Sequence, residues 1–170
     1  CYRTVLGRFA TALVAQLAAE LDEVLDDYAA FKRAAAVLDF DDLLEKARAL
    51  VRQHDDVRLA LGERYRHIFV DEFQDTDPVQ TEILFGIAGK DRAGRWQDSV
   101  LRAGALFMVG DPKQAIYRFR GADIGSYSQA RAAVERQLPE NIVQVTANFR
   151  SRPDILRHIN PCFARPLSFL

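Results

Sequence analysis

Cysteine is almost missing from this chain. The two present, Cys1 and Cys162, stand at opposite ends. They form no CxxC pair and no disulfide framework, which fits a reducing compartment such as the cytoplasm. Histidine is scarce as well: His54, His67 and His158 are scattered, which argues against a zinc site. No apolar run approaches the roughly 20 residues needed to cross a bilayer, so no membrane is expected as a partner. An excess of either charge is also lacking. With 23 Lys and Arg against 24 Asp and Glu, the net charge is -1. Nucleic-acid binding would therefore rest on a local patch rather than on a globally basic surface. There is no internal repeat and no low-complexity segment. The start, Cys1-Tyr2-Arg3-Thr4, shows no initiator Met and no signal-peptide pattern, and it is read as the start of an excised piece.

What is present is ordinary in bulk and specific in detail. A length of 170 residues with 49% hydrophobic and 28% charged content suits one domain with a real core, or a piece of something larger. The informative stretch is Ile68-Phe69-Val70-Asp71-Glu72-Phe73-Gln74-Asp75, where an apolar run ends in two adjacent carboxylates. Leu106-Phe107-Met108-Val109-Gly110-Asp111 repeats that logic. Short β-rich runs with abrupt polar ends read as parallel strands buried on both faces. Chemistry in such sheets lies just beyond the carboxyl ends of the strands, where Asp71, Glu72 and Asp111 fall.

Around these strands the chain reads as α/β. Residues 3–36 hold no Pro and only Gly7, and Leu6, Phe9, Leu13, Leu17, Leu21, Val24, Tyr28 and Phe31 recur every three or four positions. That is the stripe of a long amphipathic helix, with Lys32 and Arg33 near its end on a solvated face. Asp39 is the expected N-cap of a helix through Leu50 and Val51, with Phe40 and the leucines at 43 and 44 as core. Asp77-Pro78 opens another helix, whose Val79, Ile83, Leu84 and Ile87 are expected to face the sheet, with Gly86 and Gly89 ending it. Residues 89–104 read as a polar surface loop in which Trp96 packs. Gly86-Ile87-Ala88-Gly89-Lys90 has the wrong spacing for a phosphate loop, and Asp91 stands where Ser or Thr is needed. A helix is expected over Ser126–Leu138, a third strand over Ile142–Val145, and a last helix from Pro153 to about Ile159.

Two further clusters carry chemistry. Tyr117-Arg118-Phe119-Arg120 interleaves aromatics with arginines, as a single-stranded nucleic-acid platform does, while the plain alternative places both rings in the core. Asn148-Phe149-Arg150-Ser151 puts an Arg at a strand exit. Its planar fork suits phosphate oxygens, and an ordinary surface ion pair is the plain alternative.

Taken in order, these motifs resemble the UvrD/Rep/RecB group of DNA helicases, most closely the RecB-type subunit (exodeoxyribonuclease V beta). Val70 to Pro78 is similar to motif II, Val109 to Asp123 to motif III, and Asn148 to Ser151 to motif IV. Asp39-Phe40-Asp41-Asp42-Leu43-Leu44 is similar to a segment upstream of motif II, and the likeness runs from about residue 28 onward. The resemblance implies a partial RecA-like (P-loop NTPase) parallel sheet with helices, preceded by a helical segment. Residues 1–38 would be the end of a helical insertion, 39–140 the later half of the first RecA-like domain, and 141–170 the start of the second, with an ATP cleft between those two. It implies ATP and Mg2+ as cofactors. Asp71 would hold the Mg2+ through water, and Glu72 would orient and deprotonate the attacking water. Gln74 and Gln114 would sit near the γ-phosphate, Arg150 would contact it, and Phe149 would stack on adenine. Tyr117, Phe119 and Arg120 would line the DNA track, with Phe119 standing where the family often has Trp. The implied partners are single-stranded DNA, DNA ends, and RecC- and RecD-like subunits. No Gly-x-x-x-x-Gly-Lys-Ser/Thr loop occurs in the chain, so ATP binding is expected to be weak and hydrolysis negligible. A non-catalytic single-stranded-DNA-binding module is the alternative of another class. A sheet lacking its phosphate-loop strand would expose apolar faces, and marginal stability with self-association is expected.

Overall fold

The computed structural model describes residues 2–163; Cys1 and residues 164–170 lie outside it. The chain divides into two compact units, residues 1–133 and 134–170. The first holds two strands, β1 (Ile68–Val70) and β2 (Leu106–Met108). They pair in parallel, with Ile68 opposite Leu106 and Val70 opposite Met108. The pairing carries on past the strands. The Val109 N–H donates to the Val70 carbonyl and the Phe73 N–H to the Val109 carbonyl, both at 2.8 Å. Both strand exits are thus tied together, which fixes the backbone from which the candidate site grows.

Parallel strands need a crossover, and α4 (Pro78–Ala88) lies on it. It starts as the sequence predicts. Asp77 caps the Gln80 N–H, the Gln80 side chain returns the bond, and Pro78 occupies the first turn. The burial differs from expectation. Thr81, Phe85 and Ala88 are the buried residues, while Val79, Ile83, Leu84 and Ile87 are half-buried. The helix is apolar on several sides and packs on α2 (Phe40–Gln53), α3 (Asp55–Arg64), β2 and the turn Trp96–Asp98. Its deepest side is therefore not confined to the sheet. Gly86 lies inside the helix rather than at its end, because a Cβ there would come within 2.5 Å of Val51 Cγ1 on α2. Gly89 alone forms the C-cap.

Asp39 caps α2 in a reciprocal box with Asp42, as expected for an Asp at that position. Lys32 is not left on a solvated face: its Nζ lies 2.8 Å from Asp39 and 2.7 Å from Asp42. The hydrogen bond from Lys32 holds the Asp39 carboxyl down to about 2, and the same bond raises the Lys32 pKa. Ala36 adopts φ 54° at the joint between α1 (Tyr2–Ala35) and α2. The α1 stripe from Leu6 to Phe31 forms as a helix, and its apolar side chains are exposed. Phe40 and Leu43 are exposed rather than core, because the first turn of α2 points them outward; Leu44 is half-buried.

The segment 89–104 is a loop pinned by an antiparallel bridge between Gly89 and Leu101. Trp96 packs edge-on against Phe85 with ring centres 4.9 Å apart, which is the packing role expected of it. Arg102 fastens two helix ends at once. It donates to Gly62 O of α3 at 2.8 Å and to Ile87 O of α4 at 3.0 Å, where the helix dipoles favour a cation. Two exposed rings, Phe69 and Phe107, stack across the strand pair 5.8 Å apart, so one face of the sheet is uncovered among the described residues.

Helix α5 (Ile124–Gln137) is opened by Asp123, which accepts from the Gly125 N–H, the Ser126 N–H and the Ser126 hydroxyl. In the second unit the expected strand over Ile142–Val145 does not form. Its β-branched residues have no ladder partner among the described residues, and Val143 and Val145 are exposed. Helix α6 (Pro153–Phe163) starts at the expected proline and runs past Ile159.

Candidate functional site

Asp71 and Glu72 leave the end of β1 as exposed side chains. Asp71 Oδ1 accepts the Glu72 N–H at 2.9 Å. Glu72 adopts φ 51°, ψ 43°, the left-handed region that an ordinary residue occupies only when its surroundings impose it. The next residues, Phe73–Asp75, form a single 3₁₀ turn. It drives Phe73 and Gln74 into the interior, and Gln74 is only 1% exposed.

Gln74 is the junction of the site. Its Nε2 donates to Glu72 Oε2 at 2.7 Å, and its Oε1 accepts the Asp111 N–H at 3.0 Å. One buried amide therefore joins the two strand exits and fixes the Glu72 carboxylate. Gly110 makes this possible, since a Cβ there would lie 2.8 Å from Gln74 Oε1. Asp111 accepts from the Gln114 amide at 2.9 Å and from the Lys113 N–H at 3.0 Å. These bonds, the Gln114 one foremost, hold its carboxyl below the usual range, so it is ionised near neutral pH. Gln74→Leu is expected to leave the Asp111 N–H without its acceptor and to destabilise the chain by about 1–3 kcal/mol. An unchanged urea midpoint in that variant would show that the junction contributes no stability.

Beyond Gln114 the chain surfaces as a platform. Tyr117 is 37% and Phe119 79% exposed, which settles them outside the core. Their rings are 6.0 Å apart, and the Arg120 guanidinium lies 5.3 Å and 5.6 Å from the two ring centres. Gly121, at φ 89°, turns the chain back, and the Asp123 N–H donates to the Thr76 carbonyl at 3.3 Å. The platform is thus anchored to the carboxylate segment at both ends.

The first unit therefore brings together Asp71, Glu72, Gln74, Asp111 and Gln114, followed by Tyr117, Phe119 and Arg120. Phe149 and Arg150 belong to the second unit and are exposed. There Asn148 Oδ1 accepts the Arg150 and Ser151 N–H groups at 2.9 Å and sets the turn. One supporting residue escaped sequence reasoning. Tyr127 on α5 packs its ring 5.9 Å from Phe73, and its hydroxyl lies 3.4 Å from Gly110 O. An aromatic between Ser126 and Ser128 carries no local signal of that contact.

Comparison with known proteins bears on what this arrangement serves. Residues 10–135 match the model of the UvrD/REP helicase N-terminal domain. The chain belongs to the UvrD/Rep helicase family. Within that family it is 34% identical over 150 residues to the ATP-dependent DNA helicase UvrD1 of Mycobacterium tuberculosis, covering 88% of this chain and 18% of that protein. It is 36% identical over 147 residues to the RecBCD enzyme subunit RecB of Escherichia coli, covering 85% of this chain and 11% of that relative. It is 34% identical over 141 residues to an ATP-dependent helicase/nuclease subunit of Natranaerobius thermophilus, covering 82% of this chain and 10% of the relative. The chain spans less than a fifth of the length of these relatives. Among the described residues no helix is long and apolar enough to cross a membrane.

Proposed function

We propose that this chain is part of an ATP-dependent DNA helicase or translocase of the RecB type, moving 3′ to 5′ on single-stranded DNA during double-strand-break repair. The observation that carries the reading is the Gln74 junction, which ties the paired-carboxylate end of β1 to the β2 exit at Asp111, from which the chain runs on through Gln114 into the exposed aromatic–arginine platform. A helicase must make nucleotide chemistry and DNA grip depend on each other, and a buried shared amide is a direct physical means of doing so. AddA-type and UvrD-type parents fit the same motifs, at identities of 34% against 36%. A nuclease motif downstream in the parent gene would separate UvrD from the other two.

In this reading residues 39–140 form the later half of a first RecA-like domain and 141–170 the start of a second, with residues 1–38 ending a helical insertion. Bound Mg-ATP supplies the reacting γ-phosphate and the cation that neutralises it. The residues present suit it. Asp71 offers an exposed carboxylate whose Oδ1 is engaged by a neighbouring N–H, which leaves the other oxygen for a hydrated cation. Mg2+ takes one or two carboxylates and otherwise waters and phosphates, and among the described residues no group of three metal-ligating side chains occurs. Glu72, held by Gln74, orients and deprotonates water. Gln74 and Gln114 report the state of the γ-phosphate to the platform. Arg150 is assigned to γ-phosphate contact and Phe149 to adenine stacking. DNA ends and RecC- and RecD-like subunits are the partners this type of parent would have. The left-handed Glu72 favours this enzymatic reading over a purely DNA-binding module, since strain of about 1–3 kcal/mol is held where geometry matters to chemistry.

The test is ATP hydrolysis. The chain alone, without a phosphate loop, is expected to hydrolyse no ATP with or without single-stranded DNA. In the full-length parent, Glu72→Gln is expected to lower kcat by about 10²–10⁴-fold, the range of a lost general base, with little change in KM for ATP. A parent whose DNA-stimulated hydrolysis survives Glu72→Gln would remove Glu72 from its assigned role.

A further inference from the structure

Away from the strand exits, α2, α3, α4 and the 89–104 loop line a small open cavity of about 30 Å³. Four arginines line it, Arg48, Arg52, Arg58 and Arg92, against two carboxylates, Glu82 and Asp91. Glu82 is shared, 3.2 Å from Arg52 and 3.8 Å from Arg48. Arg48 is also paired with Glu45 and Arg58 with Asp55, neither of which lines the cavity. Among the described residues, Arg92 donates to the Arg52 carbonyl at 3.3 Å.

Arg58 is the unusual member. Its side chain is 7% exposed, yet its two hydrogen bonds, from Nε to Asp55 and from Nη1 to the Lys90 carbonyl, are both long at 3.4 Å. A guanidinium carries five N–H donors and cannot shed its charge. No Arg58 nitrogen is both buried and without a partner among the described residues, so the donors left over from these two bonds open onto the cavity that Arg58 lines. A buried cation normally has its donors satisfied. This one borders a cavity that, at about 10–15 Å³ per water, has room for roughly two waters or for one tetrahedral oxyanion.

We propose that this cavity is a phosphate-group site, in which Arg58 supplies donors from its wall and Arg52 and Arg92 close on the anion from the rim. Arginine forks match phosphate oxygens in pairs, and Glu82, itself in the lining, bridges Arg48 and Arg52. The site takes either inorganic phosphate or the terminal phosphate of a polynucleotide, since both present the same oxygens.

Trp96 lines the same cavity and is the only tryptophan in the chain, so its emission reads the site directly. The chain would be titrated with inorganic phosphate, with chloride at matched ionic strength, and with one short oligonucleotide carrying or lacking a 5′-phosphate. A saturable change with phosphate and not with chloride is expected. Arg92→Met, whose side chain is exposed, is expected to weaken it about 10- to 100-fold, the range for a lost hydrogen bond to a charged group. Arg58→Met is expected to weaken it at least as much, with its fold checked by circular dichroism. A response to the phosphorylated oligonucleotide as well identifies a nucleic-acid end as a source; a response to inorganic phosphate alone identifies the free anion. The proposal is overturned if chloride reproduces the change, if Arg92→Met retains full affinity, or if the oligonucleotide lacking phosphate acts equally well.

Discussion

Phe85→Ala is expected to remove about 3–5 kcal/mol of stability, the range for deleting a fully buried ring. Phe85 is 0% exposed and lies where α4 meets the loop ring of Trp96. The substitution opens a cavity beneath that ring and loosens the bridge that fixes Gly89 to Leu101. Domains of this size are stable by only about 5–15 kcal/mol, and this one leaves Phe69 and Phe107 uncovered on its sheet. The loss is thus a large share of the total. Urea titration followed by Trp96 emission would measure it. A midpoint close to that of the parent sequence would mean that the loop, not α4, carries the core.

The second large effect lies in DNA binding. Replacing both Tyr117 and Phe119 with alanine is expected to weaken single-stranded DNA binding by about 2–6 kcal/mol, at roughly 1–3 kcal/mol for each stacked base. That corresponds to roughly 30-fold at the low end and to abolition in practice at the high end. Because both rings are exposed, the melting temperature is expected to stay the same, which separates lost stacking from lost fold. Arg120→Gln should act differently, reducing the salt dependence by about one phosphate contact. Anisotropy of a labelled oligothymidine at two salt concentrations reads both effects. Undiminished binding by the double variant would exclude the platform as the DNA track.

Much of the site was legible from the sequence because it is built from local signals. The strand exits at Asp71 and Asp111, the caps at Asp39 and Asp77, and the prolines at 78 and 153 each act within a few residues. What could not be read lies in contacts between distant positions. Arg102 reaches Gly62 across 40 residues, and Lys90 accepts from Arg58 across 32. Gly86 looked like a helix stop because its real reason, Val51, is on another helix. Ile142–Val145 has strand propensity, but propensity without a neighbouring strand does not make a ladder. The left-handed Glu72 was equally hidden. Nothing in Asp-Glu-Phe-Gln signals a positive φ, which follows from Gln74 being drawn inward between two strand ends.

The joint at Ala36 has a mechanical consequence. Helix α1 comprises 34 residues, which at about 1.5 Å each makes a rod roughly 50 Å long. Its fulcrum is a single left-handed residue, and beside it one ammonium group is shared between two aspartates at the start of α2. A pivot of only about 5° there swings the far end by roughly 4 Å, by the geometry of a rod of that length. The lever is long against its joint: a small rotation beside Ala36 and Lys32 becomes, at the far end of α1, a displacement about the size of a side chain.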